Sequence, residues 1–210
     1  MSKLSVVLAV YNEEKNLRRC LDSVKNLADE IVIVDGGSKD KTLDIAKEFG
    51  AKIIQTVNPT NFHINKNKAI DAATGDWILQ LDADEVVTEG LADEIKKLID
   101  LKSDINGYWI PRKNIIFGKE FRHGGQSPDY QKRLFFKSKL KGWTGEDHEE
   151  PIFAEEISLL TNPLIHYKDI NISQMVDKTN QWSEIEAGLM FEAGHPKMNI
   201  FRFFSAGFRE

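Results

Sequence analysis

Asp76-Trp77-Ile78-Leu79-Gln80-Leu81-Asp82-Ala83-Asp84-Glu85 is the stretch on which the reading of this chain turns. Trp77 to Leu81 has the make-up of a half-buried strand, and where its apolar residues end it delivers two carboxylates two positions apart. In an extended chain the side chains at i and i+2 point the same way, roughly 6–7 Å apart. Two hard oxygen ligands at that separation suit one side of a Mg²⁺ or Mn²⁺ ion, with water and ligand oxygens completing the shell. The competing reading is a solvated acidic turn before a helix that opens at Thr88. An isolated D-x-D does not separate the two; the rest of the chain does.

Upstream, Leu4 to Tyr11 is a continuous apolar run rich in β-branched residues, as expected of a parallel strand covered on both faces. Asn12 is placed to cap a helix whose apolar stripe is Leu17, Cys20, Leu21 and Val24. Ile31 to Val34 is a second strand, ending at Asp35. Gly36-Gly37-Ser38 turns into a helix carrying Leu43, Ala46 and Phe49, which Gly50 stops. A third strand over Lys52–Thr56 and a helix from about Phe62 to Ala73 lead, through Gly75, to the Trp77–Leu81 strand. Four alternations of strand and helix predict a doubly wound, mostly parallel α/β sheet. Such sheets bind ligands at the carboxyl ends of their strands, which is where Asn12, Asp35 and Asp82 all fall.

After a helix over Thr88–Leu101 the pattern changes. Gly107–Asn114 and Gln131–Lys137 read as strands with Gly-rich chain between them, which predicts a smaller antiparallel extension. Asn171-Ile172-Ser173-Gln174 resembles a capping box that opens a C-terminal helix. The expected organisation is residues 1–104 as an α/β half, 105–170 as a second half and 171–210 as a helical segment, all in one compact unit.

Composition narrows the function. The 210 residues carry a net charge of −5 from 28 basic and 33 acidic side chains. That balance argues against nucleic acid as the main partner, since phosphate backbones need a basic surface. The single cysteine, Cys20, allows no internal disulfide and no thiolate zinc site. No apolar run approaches the ~18 residues of a transmembrane helix, and Met1-Ser2-Lys3-Leu4 leads directly into a strand without a signal-peptide pattern. The expected setting is cytoplasmic.

Several motifs fail on inspection. Gly36-Gly37-Ser38-Lys39-Asp40-Lys41-Thr42 ends like a phosphate-binding loop, but Asp40 stands where the glycine before the lysine is needed. Val86 and Val87 occupy ligand and glycine positions of a calcium loop begun at Asp82. Ile152 replaces the second histidine that would make His148-Glu149 a zinc-protease motif.

The blocks that remain resemble the family 2 glycosyltransferases with the GT-A fold. They are Ser5–Glu13, Ile31–Asp40, Lys66–Ile70 and Gly75–Glu85. Pro128–Phe135, Asp147-His148-Glu149 and Ile165-His166-Tyr167 are similar to the bacterial branch that includes lipopolysaccharide-core β-glucosyltransferases. The resemblance implies a role for each matching position. Ala9, Tyr11 and Glu13 would line a nucleotide pocket, and Asp35 would accept a hydrogen bond from uracil. Many relatives have a second acid where this chain has Gly36, which leaves that contact to Asp35. Lys66 would face the diphosphate, Asp82 would contact ribose or metal, and Asp84 would be the main ligand of a Mg²⁺ or Mn²⁺ ion.

Inverting glycosyl transfer needs a base for the acceptor hydroxyl. By family match it is Glu149, with Asp147 second. A carboxylate partly shielded by Trp143 would have its pKa raised toward the working range. In several GT-A enzymes a late histidine completes the metal shell, which makes His166 a candidate ligand against the usual structural role of a lone histidine. Arg133 has two readings, phosphate binding or pairing with Asp129. Trp109, Trp143 and Trp182 are either sugar-stacking or core residues. Pro196–Glu210, with Phe201, Phe203, Phe204 and Phe208 among basic residues, is either a docked last helix or an interfacial segment giving peripheral contact with the inner face of a membrane.

The resemblance therefore implies a metal-dependent inverting enzyme. It would move a sugar from a nucleotide donor, UDP-linked, to a glycan or lipid-linked acceptor in cell-envelope polysaccharide synthesis. The alternatives are a sugar-1-phosphate nucleotidyltransferase, whose Gly-rich basic loop is absent at Tyr11-Asn12-Glu13-Glu14, and a non-catalytic nucleotide- or glycan-binding relative.

Overall fold

The structure is a computed structural model that describes residues 2–58, 63–101, 105–123, 127–144, 150–153, 157–169, 171–192, 194 and 199. β1 (Leu4–Val10) is apolar except for Ser5, as suits a strand with both faces covered. Leu4, Val6, Leu8 and Val10 face one core. They pack with Leu17, Cys20, Leu21 and Val24 of α1 (Leu17–Val24), a stripe at helical spacing. Val7 faces the other core with Ala69 and Ile70 of α3 (His63–Ala72). Alternation along one strand thus feeds two layers of helices.

β2 (Glu30–Asp35), α2 (Thr42–Glu48), β3 (Lys52–Gln55) and β4 (Trp77–Gln80) complete the first half. The strands run parallel in the order β3-β2-β1-β4, so the strand order reverses between β1 and β4. A crevice at that reversal is the usual ligand position of open α/β sheets. Gly75 lets the chain enter β4. A Cβ there would stand 2.7 Å from Ser5 Oγ and 2.8 Å from the Lys3 carbonyl oxygen, while its N–H donates to Ser5 Oγ at 2.8 Å.

Two local expectations change. Asn12 does not cap α1; it adopts a left-handed conformation (φ 55°) and its side-chain oxygen accepts from the Lys39 N–H at 2.9 Å. Its short amide favours that conformation and ties the loop after β1 to the loop after β2. A short strand, β5 (Glu85–Val87), also stands between the acidic stretch and α4 (Glu89–Ile99). Thr88 caps α4, accepting from the Leu91 N–H at 3.2 Å.

The second half supplies β6 (Gly107–Ile116), β7 (Lys119–Phe121), β8 (Tyr130–Phe136), β9 (Leu140–Thr144), β10 (Glu150–Phe153), β11 (Ile157–Leu159) and β12 (Leu164–Asp169). It continues the sheet directly, because β8 pairs antiparallel with both β4 and β6. Pairing there is mixed and not uniformly antiparallel: β11 and β12 run parallel to β6. β12 also pairs antiparallel with β5, which sets His166 opposite Glu85 on one side and Asn114 on the other. β9 and β10 form a separate antiparallel pair. Residues 1–172 make one unit and 173–210 a second, and all of α5 (Ile172–Glu192) beyond its first residue falls in the second. No helix among the described residues is long and apolar enough to cross a membrane.

Candidate active site

β2 ends in Asp35, whose carboxylate is fully buried. It accepts the N–H groups of Gly37 and Ser38, each at 3.0 Å to Oδ2. These bonds shape the turn that the glycines allow, Gly37 having φ 89°. A carboxylate has about four acceptor sites, so Asp35 retains capacity for a further donor. The loop after β1 closes over this turn: the Asn12 N–H donates to Ser38 Oγ at 2.8 Å and the Glu13 N–H to Thr42 Oγ1 at 2.7 Å. Glu13 itself accepts from Asn16 Nδ2 at 2.9 Å. At the same strand end Ala9 is half-buried and Tyr11 is exposed.

Across the β1/β4 boundary the acidic stretch meets three cations. Asp82 Oδ1 lies 2.7 Å from Lys66 Nζ on α3, and Asp82 Oδ2 is bonded to Arg133 Nη2 from β8. The same Nη2 donates to Glu85 Oε1 at 2.8 Å, and Arg112 Nη1 reaches that oxygen at 3.1 Å. Glu85 Oε2 in turn accepts the Asp82 N–H at 2.9 Å. Glu85 is therefore a fully buried anchor that holds the acidic turn and two arginines together. Burial pushes the Asp82 carboxyl up, but the charges of Arg133 and Lys66 outweigh it and hold it well below the usual carboxylate range. Burial likewise disfavours the Arg133 charge, and Asp82 and Glu85 reverse that, so the guanidinium stays charged.

Asp84 has a different partner. Its Oδ2 lies 3.4 Å from His166 Nε2, and its carbonyl accepts the Tyr167 N–H at 3.0 Å. The opposite ring nitrogen, His166 Nδ1, is 2.7 Å from Asn114 Oδ1. Asn114 Nδ2 donates to Asp129 Oδ2 at 2.8 Å, and a carboxylate can only accept there. The amide is thereby oriented with its oxygen toward the imidazole. Nδ1 then carries the proton, and in the neutral ring the Nε2 lone pair points at a carboxylate. Two acceptors that face each other at this distance suit a shared cation. A neutral imidazole and a carboxylate are ligands that Mg²⁺ or Mn²⁺ accepts. Among the described residues no group of three or more His, Cys, Asp and Glu side chains gathers as a fuller metal shell.

Residues 5–153 match the family described as Glycosyl transferase family 2. The chain belongs to this family. An uncharacterised glycosyltransferase of Rickettsia felis is 30% identical over 96% of this chain and 75% of its own length. LpsC of Rhizobium meliloti, a lipopolysaccharide core biosynthesis glycosyltransferase, is 25% identical over 91% of this chain and 73% of its own. Among solved structures, S. aureus TarS superposes with a TM-score of 0.59 at 18% identity. The match covers 94% of this chain but only 40% of TarS. TarS residues 1–349, crystallised in complex with UDP, give the same TM-score over 67% of that chain. The fold of this family 2 member is therefore the GT-A arrangement of a mixed, mostly parallel sheet with flanking helices.

The structure brings Lys66, Asp82, Arg133, Asp84 and His166 together, with Asp35 at the neighbouring strand end. Of the two readings of Arg133, pairing with Asp129 gives way to a bond with Asp82 and Glu85. Arg112 takes Asp129 instead, at 2.8 Å, because the β6–β8 register sets the two side by side, with the Arg112 N–H donating to the Asp129 carbonyl at 2.7 Å. Glu149 and Asp147 lie outside the described residues, as do the side chains of Trp143 and Trp182 and, except for Asn199, the segment Pro196–Glu210. Trp109 is half-buried under Lys132, whose Nζ is 4.6 Å from the ring centroid. Cys20 is core: burial raises its thiol well above the ordinary value, and Glu85, Asp84 and Asp82 add to that. Sequence reasoning missed Glu85, Arg112 and Asn114 as parts of the site. Burial of charged and amide side chains in strands is the signal they carry, and burial is a tertiary property.

Proposed function

We propose that this family 2 glycosyltransferase is a metal-dependent, inverting enzyme that moves a sugar from a UDP-sugar to a glycan or lipid-linked acceptor. The observation that carries the reading is the facing pair Asp84 Oδ2 and His166 Nε2, 3.4 Å apart with the imidazole oriented from behind. These two residues would hold a divalent cation, Mg²⁺ or Mn²⁺, whose charge offsets the negative charge that grows on a departing diphosphate. Lys66, held beside Asp82, would supply positive charge toward the diphosphate, and Arg133 keeps Asp82 ionised to contact ribose or the metal. Asp35 accepts from the base, and Ala9, Tyr11 and Glu13 line the pocket at the end of β1. Glu149, with Asp147 as its alternate, is the base that takes the acceptor proton, an assignment made on sequence match. A role in cell-envelope polysaccharide synthesis is supported by the likeness to LpsC. Membrane contact through Pro196–Glu210 is the corresponding reading for a lipid-linked acceptor.

A nucleotidyltransferase reading is disfavoured by the acidic Tyr11-Asn12-Glu13-Glu14 loop, which would repel a triphosphate. Calorimetric titration of UDP with and without Mn²⁺ tests the proposal. Wild-type protein should bind UDP in a Mn²⁺-dependent manner, and Asp84→Ala should lose that dependence. Equal binding by wild type and variant would refute the metal assignment, and no binding in either condition would refute the donor. With a UDP-sugar in hand, Glu149→Gln should bind donor normally but release no UDP.

A further inference from the structure

The polar residues behind His166 form a chain that the transfer reaction does not itself require. β6 and β12 run parallel with Asn114 beside His166, and Asn114 is buried, 1% exposed. An asparagine amide alone does not select a histidine tautomer, because it can flip. Here it cannot flip without cost. Asp129 Oδ2 receives both Asn114 Nδ2 and Arg112 Nε at 2.8 Å, and Gln131 Nε2 donates to Asp129 Oδ1 at 2.7 Å. Turning the Asn114 oxygen toward this carboxylate would set two acceptors against each other in a part-buried site.

We propose that Asp129 and Asn114 are positioning residues that hold the proton of His166 on Nδ1, so that Nε2 is presented to a divalent cation beside Asp84. The inference rests on the metal reading of Asp84 and His166 and extends it to the residues bonded in series behind the imidazole. Outer partners of this kind fix ring orientation and raise ligand basicity, and their loss typically lowers metal affinity 10–100-fold. Without the Asn114 oxygen, Asp84 is the acceptor that the described residues still offer the ring. The proton then moves to Nε2, where it blocks ligation.

The test uses the full chain labelled with ¹⁵N at histidine, with His166 assigned by difference from His166→Gln. In wild type, at a pH where free imidazole is neutral, Nδ1 should carry a hydrogen-bonded proton both with and without Mg²⁺. In Asn114→Leu, or Asn114→Ala if the leucine variant does not fold, that proton should shift to Nε2. The affinity for Mn²⁺ alone, measured by electron paramagnetic resonance, should fall about 10- to 100-fold. A wild-type ring protonated only on Nε2 would overturn the inference, as would a folded Asn114 variant that binds Mn²⁺ like wild type. Wild-type protein that takes up no Mn²⁺ would overturn the metal reading, and the inference with it.

Discussion

Arg133→Met is the substitution that most directly questions the ionic core of the site. Methionine fills most of the arginine volume but removes the cation that, among the described residues, alone bonds both Asp82 and Glu85. The Arg133 side chain is 8% exposed and that of Glu85 is 0% exposed, so water cannot replace the lost partner at Glu85. Breaking a buried ion pair from one side costs about 3–5 kcal/mol. Arg112 still reaches Glu85 at 3.1 Å, which places the expected loss near the lower end, about 3 kcal/mol. At about 2–4 °C per kcal/mol for a unit of this size, the Tm should drop by roughly 6–12 °C. Urea denaturation followed by circular dichroism measures the loss. Arg133→Met combined with Glu85→Gln should be more stable than Arg133→Met alone, because a neutral amide leaves no buried charge short of a partner. A single-variant loss below about 1 kcal/mol, or a double variant less stable than the single, would refute the account of Glu85 as a charge that Arg133 must neutralise.

Two further outcomes follow from the geometry. Gly75→Ala should destabilise the protein by about 1–3 kcal/mol, since the new Cβ would lie 2.8 Å from backbone atoms of both Lys3 and Ser5; thermal denaturation reads it directly. Burial pushes the Asp129 carboxyl up, but Asn114, Gln131 and Arg112 overcome this and hold it below its ordinary value. The unfolded chain then binds the proton more readily than the folded one, so the stabilisation is complete above the unfolded pKa of about 3.9 and fades as pH falls through the lower folded value. Denaturation measured between neutral pH and about pH 3 should show stability falling on the acid side, and the fall should be shallower in Asp129→Ala.

The sequence by itself determined the first half of the molecule. Apolar runs in β1 and β2, the stripe Leu17, Cys20, Leu21 and Val24, and the glycines that stop α2 and open β4 are local signals. Period and turn chemistry act within a few residues. The positions of Asp35 and of Asp82-Ala83-Asp84 at strand ends came with that pattern, whereas His166 as a candidate ligand came only from the family resemblance. Which cation meets which carboxylate was decided only by tertiary structure. Nothing near Arg133 in sequence directs it to Asp82 and not to Asp129; that follows from β8 docking on the free edge of β4, where unpaired backbone groups need a partner strand. Asn12 shows the same limit at short range, since the loop after β2 claims its side chain before a helix can. His166 reaches Asp84 only because β12 fits between β5 and β6, and the same pairing sets Asn114 behind the ring. Strand order is a long-range property: hydrogen bonds between strands are satisfied by any extended neighbour, and packing on both faces of the sheet selects among them.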